Sequence, residues 1–255
     1  MSASASRQRG FSLVELMVTL AIGLFLLAGV LQILQANRES FEAQRGTAHL
    51  EENARLAVFI LEHGIAHAGY QVSLDSDPFG PSNALETTLP RGAVVIGKAN
   101  ESGNNDRLRL RFEAAGGVQN CRGKEIGTPG NPEVADFAFY LSNDGALLCH
   151  PAGSLIGQPI IDNVDRFEVR YGVGGPARTD GVRYYTANPD AQALTRIKSV
   201  RIQLLIHSDP ESGDRALPVG TAQSYTLMDG SVFKITDRRV RLLIDQTIAL
   251  KNRLP

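Results

Sequence analysis

Between Leu16 and Arg38 the chain carries no charged residue, and the apolar run that contains this stretch starts at Phe11 and continues to Leu34. About 20 apolar helical residues cross a hydrocarbon core, so this run is long enough to span one. Ahead of it lies a short polar leader with Arg7 and Arg9, ending at Gly10. Those two cations hold the leader in the cytoplasm and send the remainder outward. One charge interrupts the apolar run, Glu15. A carboxylate within a span costs about 2.5 to 3.5 kcal/mol at mid-bilayer and less near an edge, so it calls for a partner. Cleavage between Gly10 and Phe11 would supply one, because the new α-amino cation of Phe11 stands four residues from Glu15 and shares its helix face. The pair can form within one chain or between neighbours.

A secretory signal peptide is cut after its apolar stretch and has no acid inside it. Leu34-Gln35-Ala36 is a poor site for such a cut, and no Cys follows it. The ordered set Gly10-Phe11-Ser12-Leu13-Val14-Glu15 instead resembles the processing site of type IV prepilins. That resemblance implies cleavage after Gly10 by a prepilin peptidase, N-methylation of Phe11, and a role for Glu15 in assembly.

Beyond the span, Leu50, Ala54, Ala57, Leu61, Ile65 and Ala68 recur at intervals of three and four, with Gly69 as a stop. The pattern predicts one helix over 11–69, roughly 85 Å long, with 11–36 in the membrane or filament core and 37–69 packed on a head domain. The stem contains no Pro, and Gly23, Gly29, Gly46 and Gly64 are positions for curvature or close approach. His63 and His67 are spaced i,i+4, but the order Glu62-His-x-x-x-His lacks the catalytic zinc pattern.

Residues 70–255 read as a β-rich head: 19 of the chain's 25 Gly and all 12 of its Pro punctuate short alternating segments there. The segment 70–91 is expected to be an extended loop. Its Asp75 and Asp77 lack the spacing of a calcium loop. Strands are expected at 94–96, 106–112, 135–141, 146–149, 164–171, 197–207, 232–235 and 239–250, with Ser142-Asn-Asp-Gly145 as a hairpin turn. In the second of these, Arg107, Arg109 and Arg111 alternate with Leu108, Leu110 and Phe112, and their face is expected to be solvated or turned to a partner. Cys121 and Cys149 lie outside the cytoplasm and are read first as a disulfide, the alternative being two separate buried thiols. The fold class is α+β: a long stem on a mainly antiparallel sheet.

A net charge of −1 argues against nucleic-acid binding. Gly153-Ser-Leu-Ile-Gly157 has its Ser misplaced for a nucleophile elbow, Gly123-Lys124 lacks the earlier Gly of a phosphate loop, and Gly172-x-Gly174 opens no helix. No enzyme, metal or cofactor is expected.

The head carries a resemblance of its own. Glu52-Asn-Ala-Arg-Leu-Ala57, Ala68-Gly-Tyr70, Val164 to Gly172, Val200-Arg-Ile-Gln-Leu-Leu205, Arg238-Arg-Val-Arg-Leu242 and Thr247 to Arg253 are similar to PilW minor pilins. The resemblance implies a type IV pilin-like fold and a part in pilus assembly. Implied partners are other minor pilins (PilV, PilX, PilE and FimU-like), a PilY-type tip adhesin and the major pilin. The implied place is the inner membrane, single-pass with a periplasmic head, and then the pilus tip. The alternatives are a GspJ-type pseudopilin of a type II secretion system and a membrane-anchored periplasmic binding module.

Overall fold

In the computed structural model α1 runs unbroken over Leu13–His67. At 1.5 Å per residue it is about 80 Å long. The structure describes residues 12–72, 79–102, 105–177, 179–208, 217 and 220–253. With no Pro to remove an amide or clash with the preceding turn, nothing in the sequence stops the helix until Gly69, which takes φ 79°. Its buried positions are Gly46, Leu50, Ala54, Ala57, Leu61, Gly64 and Ile65, the stripe that the spacing predicts. Gly64 is the closest approach: a Cβ there would stand 3.2 Å from Leu110 Cδ1 and 3.4 Å from Phe137 and Phe139.

Two antiparallel sheets pack on this stripe, where a single sheet is expected from the sequence. The first is a five-stranded meander of β1 (Val95–Ser102), β2 (Asn105–Ala114), β3 (Glu133–Leu141), β4 (Leu147–Pro151) and β5 (Gln158–Ile161). The second has the order β11-β8-β6-β7, from β6 (Val164–Gly174), β7 (Val182–Thr186), β8 (Ile197–His207) and β11 (Arg241–Ala249). A short helix α2 (Ala191–Leu194) precedes β8, and β9 (Ala222–Thr226) pairs with β10 (Val232–Thr236) as a separate ribbon. α1 contacts β2 and β5 in the first sheet and β8 and β11 in the second. The sheets are stitched where β2 meets β6: the Phe167 amide donates to Asn105 Oδ1 and the Val169 amide to Asp106 Oδ2, at 2.9 and 2.7 Å.

The arginine face of β2 is not solvated. Arg107, Arg109 and Arg111 are 7%, 0% and 2% exposed, so the expected open face is corrected to an interior one. The segment 79–93 lies across it as a strap. Arg111 donates to the carbonyls of Phe79, Gly80, Pro90 and Ala93. Arg109 forks onto both oxygens of Asp136 and also reaches Ser82 Oγ and the Thr87 carbonyl. Arg107 donates to the Leu85 carbonyl and stacks 4.3 Å above the Tyr140 ring. An irregular strap has carbonyls with no ladder to join, and buried carbonyls need donors. A planar guanidinium supplies several from one side chain. Strict alternation on β2 thus marks two buried faces, one apolar against α1 and one cationic against a loop.

The second sheet repeats the plan. On its outer face Glu168 and Gln203 accept from the amides of Asp229 and Met228, in the turn of the β9–β10 ribbon. Arg166 stacks 4.6 Å above Phe233, and Arg241 joins Asp237 and Asp165.

Candidate functional site: the exposed stem and its junction with the head

The first half of α1 is an apolar surface with nothing on it. Among the described residues from 12 to 42 all are exposed apart from Gly29, and Phe25 stands 83% open. A helix this long and apolar is able to cross a membrane. Glu15 sits in its first turn. Thr19 Oγ1 donates to the Glu15 and Leu16 carbonyls, so the hydroxyl is satisfied within the helix. Gly10 and Phe11 lie outside the described residues, as do Asp75 and Asp77.

At the other end the stem is clamped by the chain terminus. The last carbonyls of a helix have no partner of their own. Asn252 Nδ2 faces those of Ala66, His67 and Ala68 at 3.1, 3.3 and 3.5 Å. Arg253 donates to the Gly92 carbonyl, and its own carbonyl accepts from Lys198 Nζ at 2.7 Å. The Gly69 amide donates to Arg111 O at 3.0 Å, tying the helix end directly to β2. None of these contacts is visible in local sequence, since Asn252 and Ala66 are 186 positions apart.

Cys121 and Cys149 are joined in a disulfide, with Cα atoms 6.2 Å apart. The bond fastens the turn-rich segment 115–131 to β4. That segment roofs an apolar groove of about 300 Å³ beside the stem, lined by Phe59, Ile60, His63, Phe112 and Phe137. The His63 and His67 rings lie 4.3 Å apart and tilted by 47°, and His67 Nδ1–H donates to the His63 carbonyl at 2.8 Å. Burial, and then the neighbouring His67, push the His63 pKa down. Of the two, His67 reaches the sheet, with its ring 5.5 Å from that of Phe112, while His63 is exposed on the stem beside Phe59. Burial, reinforced by Asp229, pushes the Glu168 carboxyl up, while the Arg241 guanidinium beside Asp237 holds that carboxyl low.

Comparison with known proteins now bears on this arrangement. The model of the type IV pilus-assembly protein W family matches residues 138–252, and that of the prokaryotic N-terminal methylation motif matches 5–31. The W-family match takes in somewhat less than half of the chain, all of it in the head from β3 onward. The W-type match runs from β3 to the Asn252 clamp, while the methylation-motif match ends at residue 31, within the bare stem. Among solved structures, the type IV-like pilin TTHA1219 from Thermus thermophilus aligns at 18% identity and a TM-score of 0.47, over 81% of this chain and 97% of that one. Comparison with curated protein sequences returns no match. The long stem and its antiparallel sheets give the α+β class expected from the sequence.

Proposed function

We propose that this chain is a PilW-type minor pilin that primes type IV pilus polymerisation in the inner membrane and then sits in the complex at the pilus tip. The observation that carries the reading is the division of one helix. Its outer half is packed under a head of W type, and its first half is bare, apolar and acidic in its first turn. A stem of that kind is covered only by lipid or by other stems.

On this reading the chain comprises a leader 1–10, a stem 11–69 and a periplasmic head 70–255. Prepilin peptidase cuts between Gly10 and Phe11, Phe11 is N-methylated, and its amine pairs with Glu15 within the subunit or on a neighbour. The partners are PilV-, PilX-, PilE- and FimU-like minor pilins, a PilY-type adhesin and the major pilin. The role is structural rather than enzymatic, and growth of the filament draws on a separate motor.

Intact mass of the chain recovered from membranes tests the processing: a mature form beginning at methylated Phe11 is expected, and one beginning at Met1 defeats it. Deletion tests the role. Loss of surface pili and of twitching is expected, whereas normal piliation defeats the priming reading. Co-purification with secretion pseudopilins instead of pilins would move the chain to a type II secretion system.

A further inference from the structure

The glycine pair Gly172 and Gly174, which opens no helix, sits inside β6. A glycine within a strand weakens it and marks close approach of another group. Gly172 stands opposite Tyr185 of β7 on one side and Ser199 of β8 on the other, so the three share a row on the sheet's outer face. A Cβ on Gly172 would fall 2.2 Å from Ser199 Oγ and 3.0 Å from Tyr185 Cε1. The Tyr185 hydroxyl meets Ser199 Oγ at 3.1 Å across that gap. β7 and β8 are two strand spacings apart, about 9.5 Å, and a tyrosine bridges that distance only by lying along the sheet. Its ring therefore has one face over Gly172 and the other open, which agrees with its 43% exposure.

The ring borders a cleft of about 400 Å³ at the turn of the β9–β10 ribbon. The ribbon contributes Thr226 to Met228 to its lining, and the sheet contributes Arg170, Arg201 and Asp245. Arg201 forks onto both Asp245 oxygens at 2.7 and 2.5 Å, and Arg170 faces Asp106 and Glu168 at 3.3 and 3.7 Å. We infer that this cleft binds a neutral saccharide, with one sugar ring stacked on Tyr185 and its hydroxyls on the Arg201–Asp245 pair. Its volume lies within the range of small-molecule sites, about 300 to 1,000 Å³. Both cations are already committed to carboxylates, so a phosphate or carboxylate ligand would have to displace them. An apolar occupant would strip water from the ion pair and return no hydrogen bond, which is costly. A sugar ring offers a C–H face to the aromatic ring and a rim of hydroxyls that both donate and accept. The planar guanidinium–carboxylate fork presents both kinds of partner to that rim in fixed geometry. The inference stands apart from the pilus reading, since it uses only the outer face of the second sheet.

The test uses the full chain in a zwitterionic detergent that carries no sugar. An array of neutral and anionic glycans is probed first, and those that bind are titrated. The chain has no Trp, so Tyr185→Trp places a single indole at the platform. Its fluorescence is expected to shift and saturate with the same neutral glycans. Tyr185→Ala is expected to weaken binding by about tenfold, the scale of one lost ring stack, and Tyr185→Phe to stay within about twofold. Asp245→Asn, which keeps the shape of the pair and removes its charge, is expected to weaken binding with the ring in place. An intact disulfide and unchanged thermal unfolding certify the fold of each variant. Binding to no neutral glycan, binding to anionic glycans alone, or binding that survives both Tyr185→Ala and Asp245→Asn overturns the saccharide site. So does an indole that no glycan perturbs but that native membranes shield from acrylamide, which makes the cleft a contact between protein subunits.

Discussion

Arg109 shows how far a single side chain can depart from what its surroundings in sequence suggest. It is fully buried, and its partner Asp136 is 12% exposed at the side chain. Breaking a buried pair from one side leaves a stranded charge, at a cost of about 3 to 5 kcal/mol. Arg109→Ala is expected to lower unfolding stability by that order in urea titration of the detergent-solubilised chain. Asp136→Leu added to Arg109→Met should cost less than the two single changes summed. Tyr171 presents the opposite case. Among the described residues its buried hydroxyl has no hydrogen-bond partner, and a Cβ on Gly97 would fall 1.7 Å from it. Tyr171→Phe removes an unsatisfied group and is expected to leave stability unchanged or raise it by up to about 1 kcal/mol. A loss above that range in the same titration would mean that the hydroxyl has a partner in solution.

The two carboxyls of the ribbon interface give opposite pH signatures. Glu168 binds its proton more tightly folded than unfolded, because burial disfavours the charged form. Stability therefore falls as pH rises from the ordinary glutamate value through the raised one. Asp237 is held low by Arg241, so its contribution is present above the ordinary aspartate value and lost as pH falls through the lowered one. Thermal unfolding across pH is expected to flatten on the upper side in Glu168→Gln and on the acid side in Asp237→Asn.

At the scale of elements, each sheet has one face on the stem and the other under an appended segment that forms no ladder with it. The strap 79–93 and the β9–β10 ribbon are held by guanidinium and carboxylate groups because each leaves main-chain groups to be satisfied. The disulfide performs a similar service for the segment 115–131. Its 28-residue separation corresponds to roughly 3 to 4 kcal/mol in the chain-entropy account. Replacing both Cys121 and Cys149 by Ser is expected to lower stability by that order. Proteolysis should then begin in 115–131, since that is the element the bond restrains.

At the scale of the molecule, stability and assembly are separated along one helix. The head's core holds the half from Gly46 onward, while the half bearing Glu15 makes no contribution to that core. Glu15→Ala is accordingly expected to leave head unfolding unchanged and to reduce co-isolation with other pilin-type chains. A fall in head stability in that variant would show that the two halves are coupled. The C-terminal clamp predicts the reverse pattern: Asn252→Ala uncaps the stem's last carbonyls and loosens the head on the stem, read as faster amide exchange at Tyr70 and Gly69.

The stem, its apolar stripe and its stop at Gly69 were all legible in sequence, because helix periodicity is local and no Pro interrupts it. The strands with strict alternation were legible for the same reason. β5, β7 and β9 were not, being short edge or ribbon strands with little burial to impose a pattern. The N-terminal methylation motif was legible in the same way, as an ordered run of residues around Gly10 to Glu15. What tertiary structure alone decided is what lies against each face. Alternation states that β2 has two unlike faces, but not that a strap whose carbonyls accept from the guanidinium groups covers the cationic one. The division into two sheets and the Asn252 clamp likewise depend on contacts between distant residues, which no local pattern encodes.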